Sequence, residues 1–139
     1  MQTFLEFYQR EIQPKIAAID VFLKTEPQPY DQEQVSNLLC LSTTELLELM
    51  EREKIAIITK GMFLHLMQIG SSPLCKMFRR EVSCGMSAVY SLQEISYIYD
   101  LAQKDVEEAA DKIGKSQFSS AELPSLFGEI FISDKQYRL

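Results

Sequence analysis

The chain has 139 residues, of which 46% are hydrophobic and 24% are charged, and its formal net charge is −6. This length is typical of one compact domain or of two small modules with a shared core, and the composition excludes a disordered chain. A protein that binds nucleic acid mainly through phosphates usually has a basic excess, which this chain as a whole lacks.

The sequence contains no pattern typical of a targeting or membrane segment. No basic stretch followed by an apolar one begins the chain, and no apolar run approaches the roughly 18 residues that span a bilayer. Cys40, Cys75 and Cys84 are odd in number and irregularly spaced. This favours reduced, mostly buried thiols over a disulfide framework or a zinc site. We therefore expect a cytoplasmic protein with no membrane contact, no metal and no cofactor.

Residues 3–24 are expected to form an amino-terminal helix. Thr3 and Glu6 have the spacing of a capping box, and apolar residues then recur in steps of three and four. This stripe consists of Leu5, Tyr8, Ile12, Ile16, Ile19 and Leu23. Pro14 should kink the helix or split it near Gln13. The stripe suits either packing within the chain or a short homodimer seam.

Composition predicts four parts along the chain. They are an amino-terminal helix and linker (1–29), a first helical module (30–67), a connecting basic helix (68–89), and a second module with a tail (90–139). In the connecting helix Ser72 and Pro73 give a good start, and Gly85 gives an end. Within the last part, residues 129–132 are strand-like and precede a polar tail.

Residues 30–67 align with residues 90–127 without a gap, at an offset of sixty. Five of the 38 positions are identical, namely Tyr30/Tyr90, Ser36/Ser96, Leu41/Leu101, Glu48/Glu108 and Leu66/Leu126. The stronger signal is that nearly every inward position is apolar in both copies, and a shift of one residue destroys this agreement. The alternative is a chance similarity between two amphipathic helical stretches. A genuine internal repeat would indicate two copies of one structural unit.

Each copy is expected to contain two helices joined by a tight turn. In the first copy, residues 32–39 form a helix, and Ser42 or Thr43 caps a second helix that runs to about Glu53. Ser36 is small where the second helix crosses closely. Leu41 fills the angle between the helices, and Leu101 does so in the second copy. We expect both leucines to be nearly fully buried.

This spacing resembles the helix-turn-helix of bacterial and phage regulators, in which apolar, small and apolar residues precede the turn and further apolar residues follow it. The turn residue, usually Gly in that motif, is Cys40 in one copy and Asp100 in the other. Each copy continues with a β-prone run, at 55–58 and at 116–118. Thr59 or Ser119 then suits the cap of a further helix.

The whole unit is similar to the MerR and excisionase type of winged DNA-binding domain, over about 76 residues in the two copies together. The resemblance implies a mainly α fold, made of tandem helix-turn-helix, winged-helix-like modules with short β runs and an amino-terminal helix. It also implies duplex DNA as a partner and transcription regulation as the process.

Nothing in the sequence is arranged as a catalytic site. His65 is the single histidine and lies between Leu64 and Leu66, where a structural role is the usual one. No nucleophile motif, phosphate-binding loop or metalloprotease motif occurs. The chain is therefore expected not to be an enzyme.

In a helix-turn-helix, the start and outer face of the second helix contact DNA. The resemblance thus implies base or phosphate contacts from four residues, which are Thr43, Thr44, Gln103 and Lys104. Residues 30–67 carry a net charge of −3 and residues 90–127 a net charge of −4, whereas residues 68–89 carry +2. The positive balance predicts that phosphate contacts centre on Lys76, Arg79 and Arg80, which share one side of a helix.

Two hypotheses of different class remain open. One is a DNA-binding transcriptional regulator. The other is a protein–protein adaptor or anti-regulator on the same scaffold, whose acidic helices, with Glu48 and Glu108, face a basic partner. The motif favours the first hypothesis, and the charge favours the second.

Overall fold

The computed structural model describes residues 2–133 and is mainly helical. Contacts divide the described residues into two compact units. One contains residues 12–79 and is called the 12–79 unit below. The other contains residues 80–133 together with 2–11 and is called the 80–133 unit. The predicted polar tail, from residue 134 onwards, lies outside the described residues.

The amino-terminal segment contributes to both units. Its elements are β1 (Gln2–Thr3), α1 (Phe4–Phe7), a π-helical turn (Tyr8–Ile12) and α2 (Gln13–Thr25). Thr3 accepts a hydrogen bond from the Glu6 amide, which is one half of the expected capping box, and the Thr3 hydroxyl donates to the Glu6 carboxylate. α2 begins at Gln13 with Pro14 in its first turn, where the sequence predicted a split.

The predicted apolar stripe of this segment is interrupted after the π-helical turn. Ile12 and Ile19 are buried, as expected, but Ile16 is 43% exposed. From Ile12 along α2 the buried face runs through Ile19 and Phe22, and Ile16 lies at the edge of this face. Packing within the chain, one of the two roles expected for the stripe, therefore holds for Ile12 and Ile19 and not for Ile16.

The 12–79 unit is built from helices around an apolar core. After α2 come α3 (Gln32–Leu39), α4 (Thr43–Arg52), α5 (Lys60–Ile69) and the start of α6 (Pro73–Ser83). The fully buried side chains of this core include Val35, Leu39, Leu46, Phe63 and Leu66. A single antiparallel bridge joins Tyr30 to Ile58. Ile58 is the last residue of the predicted β-prone run at 55–58, and it is the one residue of that run that forms a β-bridge.

The 80–133 unit has the same helical order with more strand pairing. It contains β2 (Val89–Ser91), α7 (Leu92–Tyr99), α8 (Gln103–Ile113), β3 (Gln117–Ser119), α9 (Leu123–Phe127) and β4 (Phe131–Ile132). β2 pairs antiparallel with β3, and β1 pairs antiparallel with β4. The amino-terminal residues thus complete this unit, in which the Phe4 ring lies 4.7 Å from the Phe127 ring.

Within residues 2–133, no helix has both the length and the apolarity required to cross a bilayer. This finding agrees with the hydropathy of the sequence.

Candidate nucleic-acid interface

The turn between α3 and α4 has a fixed geometry. Cys40 ends α3 in the left-handed region, with φ 58° and ψ 37°. The Leu41 amide then donates to the Ser36 carbonyl at 2.9 Å, and the Leu41 side chain is only 7% exposed. Ser42 caps α4 by accepting from the Glu45 amide. These contacts hold the start of α4 at a defined angle to α3.

The turn between α7 and α8 repeats this geometry sixty residues later. Asp100 is left-handed, with φ 53° and ψ 50°. The Leu101 amide donates to the Ser96 carbonyl at 3.0 Å, and Leu101 is 8% exposed. The Ser96 hydroxyl also donates to the Leu101 carbonyl, at 2.6 Å. The predicted burial of Leu41 and Leu101 is confirmed.

The element bounds follow the same offset. α3 and α7 begin at Gln32 and Leu92, and α4 and α8 begin at Thr43 and Gln103. The strand contacts follow it too, because the Tyr30–Ile58 bridge in one unit corresponds to the Tyr90–Phe118 pair in the other. Each pair joins the segment before the first helix to the segment after the second helix.

The outer face of α4 is available to a partner. Thr43, Thr44 and Glu48 are exposed, and Leu47 is 46% exposed. Glu45 is not part of this free face, because its carboxylate accepts from the amide and hydroxyl of Ser71. The first two turns of α4 therefore present two hydroxyls, one apolar side chain and one carboxylate.

The matching face of α8 is occupied by its own acidic residues. The Gln103 amide donates to Glu107 at 3.1 Å, and the Lys104 ammonium lies 3.9 Å from the Glu108 carboxylate. Ala102, at the cap position, has no side-chain oxygen to offer. The predicted site residues Gln103 and Lys104 thus stand beside carboxylates on one helix face.

The three basic residues of α6 differ in their surroundings. Lys76 is exposed. Arg79 donates to the Gln68 carbonyl at 3.1 Å, in the last turn of α5, and Arg80 donates to the Ile98 carbonyl at 2.9 Å, near the end of α7. Basic groups at helix carboxyl ends stabilise orphan carbonyls and the helix dipole. Each guanidinium therefore has a structural task in its own unit.

The two units differ in charge. The 12–79 unit has seven basic and eight acidic residues, net −1, whereas the described residues of the 80–133 unit have five basic and eleven acidic ones, net −6. Lys54 and Lys60 are two further exposed basic residues of this unit that the sequence patterns did not single out; Lys54 lies between α4 and α5, and Lys60 is the first residue of α5. Their position on either side of the β-prone run at 55–58 is the sequence signal that would have pointed to them.

Two further polar contacts lie away from these faces. His65 and Glu53 form a surface contact at 2.7 Å, so the single histidine has a carboxylate partner. In the 80–133 unit, the Tyr90 hydroxyl donates to the Glu81 carboxylate. Burial, and secondly this hydrogen bond, raise the pKa of Tyr90 to about 12. Over residues 2–133, no three His, Cys, Asp or Glu side chains are grouped so as to hold a metal ion.

Comparison of the chain with protein-family models, with curated proteins and with solved structures finds no match.

Proposed function

We propose that the chain is a non-catalytic, cytoplasmic transcriptional regulator whose 12–79 unit is a helix-turn-helix that binds duplex DNA with α4. The observation that carries the proposal is the exposed first half of α4, presented by a turn in which Cys40 is left-handed and Leu41 is buried. A recognition helix needs this arrangement, because its first turns must reach base edges in the major groove.

The contacts around this turn support a winged helix-turn-helix. The Tyr30–Ile58 bridge brings the segment before α3 beside the segment after α4, and α5 follows at the Thr59 cap. The same order of elements in the 80–133 unit, at an offset of sixty residues, supports a tandem repeat of this module.

Chemistry favours α4 over α8 as the reading helix. Thr43 and Thr44 offer hydroxyls that donate to or accept from base edges, and Leu47 offers an apolar contact for a thymine methyl group. Lys54, Lys60 and Lys76 supply exposed positive charge in the same unit. The net charge of −1 sets a low background of phosphate attraction, so we expect modest affinity with a shallow salt dependence.

A titration of a labelled random-sequence duplex pool at two salt concentrations, followed by fluorescence anisotropy, tests the proposal. We expect binding at low salt that weakens as salt rises. Lys76→Ala should reduce the salt slope by about one phosphate contact, and Lys104→Ala, the matched control on α8, should leave the slope unchanged. Absence of binding at low salt would overturn the proposal.

A second candidate function is favoured by the charge of the 80–133 unit. Its net charge of −6 includes the exposed carboxylates of Glu107, Glu108 and Asp111 on α8. Such a surface suits an adaptor that binds a basic protein segment. An oligolysine peptide is the probe. Under this candidate function Glu108→Lys weakens its binding more than Glu48→Lys does, and equal effects would argue against it.

A further inference from the structure

The amino end of α6 is fastened to the last residue of α3. The Leu39 carbonyl accepts from the Ser72 hydroxyl at 2.7 Å and from the Cys75 thiol at 3.7 Å. Ser72 in turn accepts from the Cys75 amide, so it caps α6. Cys75 is fully buried. The Cys75 sulfur packs directly against Gly70, where an added Cβ atom would lie 2.7 Å from it.

Cys40 is the next residue after Leu39 and is exposed. Covalent geometry fixes the distance from the Leu39 carbonyl oxygen to the Cys40 Cα, so the Cys75 sulfur, 3.7 Å from that oxygen, lies within about 7 Å of the Cys40 Cα. That bound is from a sulfur to a Cα, whereas a disulfide also requires its two Cα atoms to lie about 4.4–6.8 Å apart. The α3–α4 turn must therefore open for the exposed Cys40 sulfur to reach the Cys75 sulfur.

We propose that Cys40 and Cys75 form a redox-modification site, in which a peroxide converts the two thiols into an intramolecular disulfide between the α3–α4 turn and α6. The pair combines an accessible thiol with a buried second thiol beside it, which is the arrangement of a peroxide-reactive cysteine and its resolving partner. The site is independent of whether α4 binds DNA.

The reaction balances in two steps. The exposed Cys40 thiol loses its proton, and the thiolate attacks one peroxide oxygen, which breaks the O–O bond and gives a sulfenic acid and hydroxide; the hydroxide takes up the lost proton and becomes the first water. The Cys75 sulfur then attacks the Cys40 sulfur, and the displaced hydroxide leaves as a second water with the Cys75 proton. Two thiols are oxidised and one peroxide is reduced. Because burial raises the pKa of the Cys75 thiol, the second step is slow and follows local opening of the turn.

The test is thiol counting on the full chain after treatment with hydrogen peroxide, with alkylation in denaturant. We expect the alkylatable thiols to fall from three to one. The intact mass should decrease by two hydrogen atoms, and tryptic peptides 25–52 and 61–76 should be recovered as a linked pair that a reductant separates. The remaining alkylated thiol should be Cys84.

Two variants make the result decisive. Cys40→Ser changes an exposed residue and should leave two alkylatable thiols after peroxide. Cys84→Ser, the matched control, should leave none. Oxygen added to Cys40 while Cys75 remains alkylatable would overturn the proposal, and so would a cross-link that involves Cys84 or two chains. These readouts require no DNA, so the proposal and the proposed function fail separately.

Discussion

The 12–79 and 80–133 units have the same turn geometry between their two helices but differ in net charge. The left-handed residues at the turns have φ 58° and 53°, and the leucines that follow are 7% and 8% exposed. The net charges are −1 and −6. A helix pair is set by a few buried residues and backbone hydrogen bonds, so its exposed face is free to take a different role.

The units also differ in how the chain closes around the helices. One bridge joins Tyr30 to Ile58 in the 12–79 unit, whereas the 80–133 unit has two three-residue strands, β2 and β3. The 80–133 unit additionally uses residues from the amino terminus, through the β1–β4 pair and the buried Phe4. The unit with the more acidic surface therefore has the additional strand pairing.

The largest expected effect comes from the turn leucines. Leu41→Ala and Leu101→Ala should each lower the free energy of unfolding by about 2–5 kcal/mol, because each change leaves a cavity between two helices. Chemical denaturation followed by circular dichroism measures the loss. Leu47→Ala, on the exposed face of α4, is the control and should change stability little. If only one of the two leucine substitutions lowered the free energy of unfolding by this amount, the two turns would not be equivalent.

The 80–133 unit has a part-buried hydrogen bond between the Tyr90 hydroxyl and the Glu81 carboxylate. Tyr90→Phe removes the bond to the Glu81 carboxylate and should cost about 1.5–3 kcal/mol, as for hydrogen bonds to charged groups.

The same residue predicts a pH dependence. The pKa of Tyr90 in the folded protein is raised to about 12, above the ordinary value of 10.0, so its contribution is present below pH 10 and is lost as pH rises towards 12. Unfolding of the wild type and of Tyr90→Phe should converge over this range. Tyr30→Phe, at the equivalent position, should leave the alkaline loss in place. A constant difference between wild type and Tyr90→Phe from pH 9 to 12 would contradict this assignment.

The smallest effect concerns the turn residues themselves. Left-handed geometry costs a cysteine about 1 kcal/mol, whereas aspartate tolerates it better. Glycine removes this strain but loses more conformational entropy on folding at either position. Because Cys40 is the more strained residue, Cys40→Gly should raise the melting temperature, and Asp100→Gly should change it less. Differential scanning calorimetry of the two variants compares them directly. If Asp100→Gly raised the melting temperature more than Cys40→Gly did, the strain of the left-handed backbone would not depend on residue type as expected.

The helix pairs were the most predictable part of the fold, since their signals are local. The helix predicted over residues 32–39 is α3, and the predicted second helix ends one residue beyond α4. The burial of Leu41 and Leu101 was predicted from the alignment of residues 30–67 with residues 90–127. An apolar period and a cap lie within one stretch of sequence, so no knowledge of distant residues is needed.

Features that depend on distant partners were missed. The pairing of Thr3 with Phe131 joins residues at the two ends of the described chain, and no local pattern announces it. The sequence placed Arg79 and Arg80 together as one basic surface, but their backbone acceptors, Gln68 and Ile98, became visible only in the structure. The stripe drawn from periodicity included Ile16, which is 43% exposed, and omitted Phe22, which is buried.

Selection of preferred duplexes from a random pool by variants at equivalent positions tests the central claim most directly. Thr43→Ala/Thr44→Ala changes the start of α4, and Gln103→Ala/Lys104→Ala changes the start of α8. We expect the α4 variant to prefer a different sequence and to bind the duplex preferred by the wild type at least about tenfold more weakly. The α8 variant should prefer the same sequence as the wild type and bind that duplex with an affinity within about twofold of the wild type's. A changed preference for the α8 variant alone, or for neither variant, would contradict the assignment of DNA reading to α4.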